Sequence, residues 1–459
     1  QYNIHSILVI RHGKLVMEAY YPPFSRDNKQ LLFSATKSFT SALVGIALGE
    51  GKIHSVDDPF LDYFADASVA NMSEWKQNIH IHDLLNMTSG LAMCDNYMED
   101  RPNQVQYSLD QPVLFEPGTA FEYNPCNSIL LSAIVQKTTG MTSYAYARQK
   151  LFKPLGIRDV YWASDRQGVT LGNVGLMLTS RDMAKFGQLY MQNGVWEGRQ
   201  IVPADWVAAT EQINPFYYKY QWWRSDEAIG AIGYAGQIIF VFPQNDLVVV
   251  VTSMLPEAIQ PAAYEIAYNA YFAIQSDQAL PDSPAAKALL KKVYRIAHPA
   301  PQKVPPLPAL AAKISGKSIH MDNNPLGWQS ASLTFKGKQA YLTIHTTGSR
   351  KEQKFAIGLD GLYRKTAQKA VTALAVPEPP QRYALNPYEF NFVLGVPVDG
   401  YVWMKGEWSA KDTFSLTVQD ARDFDREKLD FRFDRPAVEI DWFSFEENTN
   451  QITLTGRLR

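Results

Sequence analysis

The sequence predicts an α/β (α+β) fold: an antiparallel sheet flanked by helices, with a helical subdomain, followed by a C-terminal antiparallel β-domain. Three observations predict it. Strand signals stand at both ends of residues 1–275, with helical periodicity between them. A helix and a proline-rich spacer fill residues 276–311. From 312 to 459 the pattern is short alternating strands and frequent turns. At 459 residues more than one domain is expected, since single cores seldom grow past roughly 250–300 residues.

The opening "HSILVIRHGKLVMEAYYP" reads as two strands turning at His12-Gly13. A helix follows from Ser34, with Phe39, Leu43, Ile46 and Ala47 at helical spacing and Gly49 and Gly51 as its stop. "HIHDLLNMTSGL" predicts a second helix ended by Ser89-Gly90, and Ser128 to Gly140 a third. A fourth runs from Thr179 to Gly194, with Thr179 or Ser180 as its cap. "QIIFVF" and "LVVVVTS" are continuous apolar strands, joined by the turn residues Pro-Gln-Asn-Asp. Pro261 to Ile274 predicts a helix lying across that hairpin. One sheet built from both ends of this region fits the order. In the spacer, "AAKALLKKVYRIA" is a basic helix and "HPAPQKVPPLPAL" an extended stretch. The tail strands "SASLTFKGKQAYLTIHT", "FSLTVQD", "LDFRFDRPAVEIDWFSF" and "QITLTG" suit a small antiparallel sandwich or barrel.

The formal net charge is −2, which gives no reason to expect nucleic acid or an anionic membrane as partner. No apolar run approaches the roughly 20 residues of a spanning helix. The first residue is Gln1 rather than Met, as processing or trimming of a longer chain would leave it, and a removed signal peptide is compatible with that. Two cysteines, Cys94 and Cys126, are too few for a disulfide scaffold, and no CxxC suggests zinc. One bridge and two separate buried thiols both remain open. His80 and His82 alternate as in a strand or cap, where surface or core roles outweigh metal ligation. Neither a G-x-S-x-G elbow nor a histidine in a triad setting is present.

Ser-x-x-Lys occurs twice, at Ser34/Lys37 and Ser73/Lys76. Ser73 lies in a polar stretch; Ser34 opens a helix that should cross the core. At a helix start the free N–H groups and the dipole favour negative charge. Positions i and i+3 share a face, so Lys37 can reach the Ser34 hydroxyl. A lysine on a buried face loses solvation and tends toward the neutral amine, which can take a serine proton. The competing reading is a Ser34 that only caps and a Lys37 that turns outward.

"FSATKSFTSALVGIALGEGKI" resembles the active-site helix of the serine β-lactamase and penicillin-binding-protein superfamily, and within it the β-lactamase-related esterase and amidase branch. Further segments agree in order: "IHDLLNMTSGL", "PGTAFEYNPCNSILLSAIVQKTTG", "LFKPLGIRDVYW", "LTSRDMAKFGQLYMQNGVWEGRQIV" and "AIGYAGQIIFVFPQNDLVVVVTS". The resemblance covers residues 5–275. A fainter likeness, in "SGKSIHMDNNPLGWQSASLTF" and "FAIGLDGLYR", is to the β-rich tail that some members carry.

The resemblance implies Ser34 as nucleophile and Lys37 and Tyr123 as proton carriers, with Tyr123's phenol lowered or shared with Lys37 so that it can relay a proton. It implies an oxyanion hole from the N–H groups of Ser34 and Tyr234. It also implies a bridge between Cys94 and Cys126, and with it a periplasmic or secreted setting. Two departures stand out. The family's Tyr-x-Asn reads Tyr123-Asn124-Pro125, leaving Asn124 or Asn127 as the substitutes for substrate binding. The third motif aligns with Ala231-Ile232-Gly233, so no cation stands there for a β-lactam carboxylate and efficient β-lactamase activity is not expected. The run Gly233-Tyr234-Ala235-Gly236-Gln237 instead resembles the Gly-x-x-Gly-Gln border of 6-aminohexanoate-dimer hydrolases, which makes Gly233, Gly236 and Gln237 substrate-binding candidates. The aromatic run "PFYYKYQWW", with Trp222, could wall a pocket or pack the core.

The expectation is a serine hydrolase that cleaves an ester or amide of a small molecule or peptide through an acyl-enzyme. It implies no cofactor, metal, nucleic acid or transmembrane segment. The rivals are a peptidase or amidase acting on peptides or D-residues, and a non-catalytic binder or scaffold.

Overall fold

A computed structural model describes residues 3–94, 103–274, 276–278, 283–347, 352–367, 401–420, 426–445 and 449–459. A seven-stranded antiparallel sheet joins both ends of the N-terminal part. Its order is Lys14–Tyr20, Ile4–Arg11, Leu247–Ser253, Gln237–Phe242, Ile229–Gly233, Trp222–Arg224 and Tyr218–Lys219. The first strand pairs with the last strand of the region, Leu247–Ser253, in register Ile7↔Val251, and the predicted hairpin pairs Ile239↔Val250.

The two central strands are buried at every position because helices cover both faces. Val248, Val250, Ile239 and Val241 pack toward the side of helix Ser180–Met191. Their alternates Val249, Val251, Ile238 and Phe240 meet Ala263 and Ala267 of helix Pro261–Phe272. Helix Thr36–Gly49 lies beyond the first face, buried from Thr36 through Ala47, and packs on helix Pro125–Thr139.

Helix boundaries differ from the sequence reading where backbone chemistry intervenes. The second helix is Ile81–Asn86 and stops early because Met87 is left-handed, at φ 60°. The third starts earlier, at Pro125, with Asn124 as its cap and proline in the first turn, where its missing N–H costs nothing. Thr179 does cap the fourth, accepting from the Asp182 N–H.

The C-terminal part is a barrel. Antiparallel strands run in the order Gln353–Gly358, Gln339–Thr346, Trp328–Lys336, Ser318–Met321, Thr449–Leu458, Ala437–Ser444, Arg426–Asp434, Thr413–Asp420, Tyr401–Trp408 and Arg364–Ala367. A parallel contact, Gly358↔Lys405, closes the ring, which settles sandwich against barrel. Its core draws on residues from 304 onward, among them Trp328, Phe414, Phe431 and Trp442. No helix among the described residues is long and apolar enough to cross a membrane.

Candidate active site

Ser34 sits in a single 3-10 turn, Phe33–Ala35, that runs straight into helix Thr36–Gly49. Phe33, just before it, holds φ 45°, a strained value for a side-chain-bearing residue. The Ser34 hydroxyl makes no cap bond. It lies 2.9 Å from Lys37 Nζ and hydrogen-bonds with the Tyr123 side chain. Ser34 keeps partial exposure, whereas Lys37 is buried to 3%.

Lys37 Nζ also donates to the Asn173 carbonyl at 3.0 Å and lies 4.9 Å from the centre of the Tyr123 ring. Burial pushes the ammonium down to about 7, and no carboxylate among the described residues offsets it. Burial also dominates at Tyr123 and pushes its phenol well up, more than the Ser34 hydrogen bond pulls it down. The expected lowering of that phenol is therefore not what the packing produces. Tyr123 keeps its proton near neutral pH, and Lys37 is the group poised to accept one.

The tyrosine loop is stitched to its surroundings. Glu122 N–H donates to the Met87 carbonyl, and Gly118 N–H to that of Thr88. Cys94 and Cys126 form a disulfide across a sequence separation of 32. Closing a loop of that length contributes about 3–4 kcal/mol by constraining the unfolded chain.

The two asparagines proposed as substitutes are spent on structure. Asn124 is buried; its Oδ1 accepts from the Cys126 N–H and its Nδ2 donates to the Leu91 and Ala92 carbonyls. Asn127 is buried as well, accepting from Ser89 Oγ and donating to Met87 Sδ. Both side chains are buried and held by these partners. Gln237 is also buried, its Nε2 given to the Ser253 carbonyl.

The aromatic run divides by strand alternation. Trp222, a candidate for either the pocket wall or the core, is fully buried between Phe186 and Tyr190. Its neighbour Trp223 is the one stacked beside Tyr123, with centroids 5.5 Å apart, and Tyr218 meets the same ring edge-on. Phe121 extends this wall to Phe216.

Gly233 brings the end of its strand against the nucleophile turn. A Cβ there would meet the Leu32 carbonyl at 2.1 Å, so only glycine permits the approach. Gly236, at φ 86°, then turns the chain back under Ser253. Between them Tyr234 sits beside Phe33, with rings 5.5 Å apart.

Sequence reasoning missed two positions. Asn173 acts through its main chain, which has no side-chain signature, and its own Oδ1 is buried without a hydrogen-bond partner. Gln221 is a buried hub. Its carbonyl accepts from Ser38 on the nucleophile helix, its Oε1 from Ser128 on the tyrosine helix, and its Nε2 donates to Leu84 and Leu85. His80, His82 and Asp83 offer ligand atoms within 4.8 Å of one another. The two rings lie within 6° of parallel, however, and Asp83 caps its helix through the His80 N–H.

The sequence profile of the Beta-lactamase family matches residues 5–273. A 6-aminohexanoate-dimer hydrolase of Paenarthrobacter ureafaciens is 24% identical over 291 residues, covering 55% of this chain and 73% of that protein. A D-aminopeptidase of Brucella anthropi is 26% identical over 181 residues, covering 35% and 32%. Among solved structures, a Bacteroides dorei protein provisionally named a beta-lactamase superposes with TM-score 0.51 at 18% identity, over 58% of this chain and 93% of that one. A Bacillus anthracis protein provisionally named a 6-aminohexanoate-dimer hydrolase gives TM-score 0.50 at 20% identity, over 59% and 79%.

Proposed function

The chain belongs to the beta-lactamase family, and on that premise we propose that it is a serine hydrolase cleaving an ester or amide bond through an acyl-enzyme on Ser34. The observation that carries the reading is a buried amine of lowered basicity 2.9 Å from a partly exposed hydroxyl. Neutral Lys37 takes the Ser34 proton as Oγ bonds to the substrate's carbonyl carbon. The N–H groups of Ser34 and Tyr234 receive the resulting oxyanion, a role supported by the close approach at Gly233. Tyr123, held as a phenol, gives its proton to the leaving group as that bond breaks, and Lys37 returns one to it. Water then attacks the acyl carbon and releases the acid. The reading calls on no metal or cofactor.

The aligned third motif, Ala231-Ile232-Gly233, carries no cation, and the ring wall of Trp223 and Phe121 is apolar. Both favour a neutral acyl group over a β-lactam carboxylate. A peptidase or amidase reading shares the same residues, and relatives named as an amide-dimer hydrolase and a D-aminopeptidase support it. The disulfide supports a periplasmic or secreted location. Intact-mass spectrometry after fluorophosphonate treatment tests the whole. One adduct, absent in Ser34→Ala, is the expected result; an unmodified wild-type chain would mean a scaffold that keeps the fold without turnover.

A further inference from the structure

Helix Pro284–Ala297, sequence PAAKALLKKVYRIA, takes no part in this chemistry. At 3.6 residues per turn, Leu289, Leu290, Val293, Tyr294 and Ile296 fall on one half of its circumference. Lys287, Lys291, Lys292 and Arg295 fall on the other, and the helix contains no acidic residue.

Such a helix ordinarily buries its apolar stripe. Here only Ala297 is buried, while Leu289 is 63% exposed, Ile296 58%, Leu290 46% and Tyr294 43%. The helix contacts strand Lys14–Tyr20, whose Leu15 and Val16 are also exposed. An exposed apolar stripe flanked by cations marks an interaction surface.

We infer that this face docks on an anionic lipid bilayer, with the helix lying in the plane of the interface. The charge pattern selects that partner. Four cations beside an apolar stripe are what a negatively charged headgroup layer over acyl chains complements. A second copy of the chain would set the same four cations against four others, and their repulsion opposes that pairing. Fourteen residues make a helix too short to span a bilayer, so it lies on one. Tyr294 stands at the border of the two halves, where an aromatic ring with a polar tip suits the headgroup level. Prolines follow the helix at Pro299, Pro301 and Pro305 in an extended stretch that leads into the barrel. The whole-chain charge of −2 hides this locally positive surface.

Co-sedimentation of the full chain with vesicles tests the inference, which is independent of the chemistry at Ser34. The chain should bind vesicles of equimolar phosphatidylglycerol and phosphatidylcholine, bind phosphatidylcholine alone far more weakly, and be released as salt shortens the screening length. Removing two cations in Lys291→Ala/Lys292→Ala should weaken binding about 25-fold, at about fivefold per cation. Leu289→Ser/Ile296→Ser should abolish it. These side chains are exposed, so the thermal midpoint should hold and shows that a loss is not unfolding. The inference is overturned if the wild-type chain ignores anionic vesicles, or if binding survives both double variants. It is equally overturned if the face instead holds a dimer, seen by sedimentation velocity, that Leu289→Ser/Ile296→Ser dissociates.

Discussion

The same four-residue pattern occurs at two places in this molecule, and the folded chain treats them oppositely. Both lysines are buried, Lys37 to 3% and Lys76 to 0%, and burial lowers the basicity of both. Lys37 Nζ points at the Ser34 hydroxyl, with one carbonyl as its other partner. Lys76 Nζ turns away from Ser73 and donates to two carbonyls, Ala70 at 2.7 Å and Leu109 at 2.9 Å. Carbonyls only accept, so Lys76 has every reason to keep its protons. Ser73 spends its hydroxyl capping a one-turn helix, accepting the Lys76 N–H at 3.1 Å. A reactive pair therefore needs more than spacing and burial. The nitrogen must be left with a partner able to give up a proton.

The sharpest way to break this contrast is at the hydroxyls. Ser34→Ala should lower kcat/KM for a p-nitrophenyl ester at least about 10⁴-fold, the scale seen when a catalytic nucleophile is removed. Ser73→Ala should leave it unchanged. Comparable losses at both serines would sink the assignment.

Removal of the amines comes next. Lys37→Met should lower kcat about 10²–10⁴-fold, the usual share of a general base. It should also stabilise the fold. In the unfolded chain the amine holds its proton up to about 10.5, and in the folded chain only up to about 7. Between those values the unfolded state binds more protons, so stability rises with pH across that window and the penalty is greatest at or below pH 7. Replacing the amine with methionine should therefore gain about 2–4 kcal/mol at pH 7, and the gain should shrink toward pH 10. Denaturant unfolding at the two pH values checks the sign. Lys76→Met should leave kcat as it was.

The pH profile sharpens the division of labour between Lys37 and Tyr123. If Lys37 is the base, kcat/KM falls about tenfold per unit below pH 7 and levels off above it. A tyrosinate base would instead put the rise above pH 10, because burial pushes Tyr123 upward.

These contrasts also explain what the sequence could and could not disclose. The pairing of Ser34 with Lys37 is local: three residues on a helix share a face whatever the rest of the fold does. The sheet from both ends of the N-terminal region was readable because "QIIFVF" and "LVVVVTS" are short, uniformly apolar runs bounded by turn residues, as strands covered on both faces are. Asn173 was invisible because it acts through a main-chain carbonyl 136 residues from its partner. Trp222 and Trp223 could not be told apart, since a three-residue strand takes its facing from its neighbour, here through Gly230↔Trp223. Asn124 and Asn127 look polar and available in one dimension, yet a helix start and a loop clamp hold their buried side-chain amides. Among the described residues, barrel closure includes the parallel contact between Gly358 and Lys405, which no local pattern encodes.

The smallest expected effect is the one that completes the contrast. Ser73→Ala removes an N-cap, and such a loss costs about 1 kcal/mol. The helix concerned is only Glu74–Gln77, but it carries Lys76, whose ammonium ties the Ala70 loop to Leu109 of helix Gln104–Asp110. Loosening the cap should therefore weaken that tie and lower the denaturation midpoint slightly, with the pH profile of hydrolysis untouched. Ser73→Asp, which restores an acceptor at the cap and adds a charge favourable to the helix start, should recover the loss. Ser34→Asp has no such rescue available, because the lost group there is a proton donor to Lys37 and a nucleophile. A variant pair in which aspartate rescues one serine and not the other would separate a capping hydroxyl from a reacting one without reference to any substrate's identity.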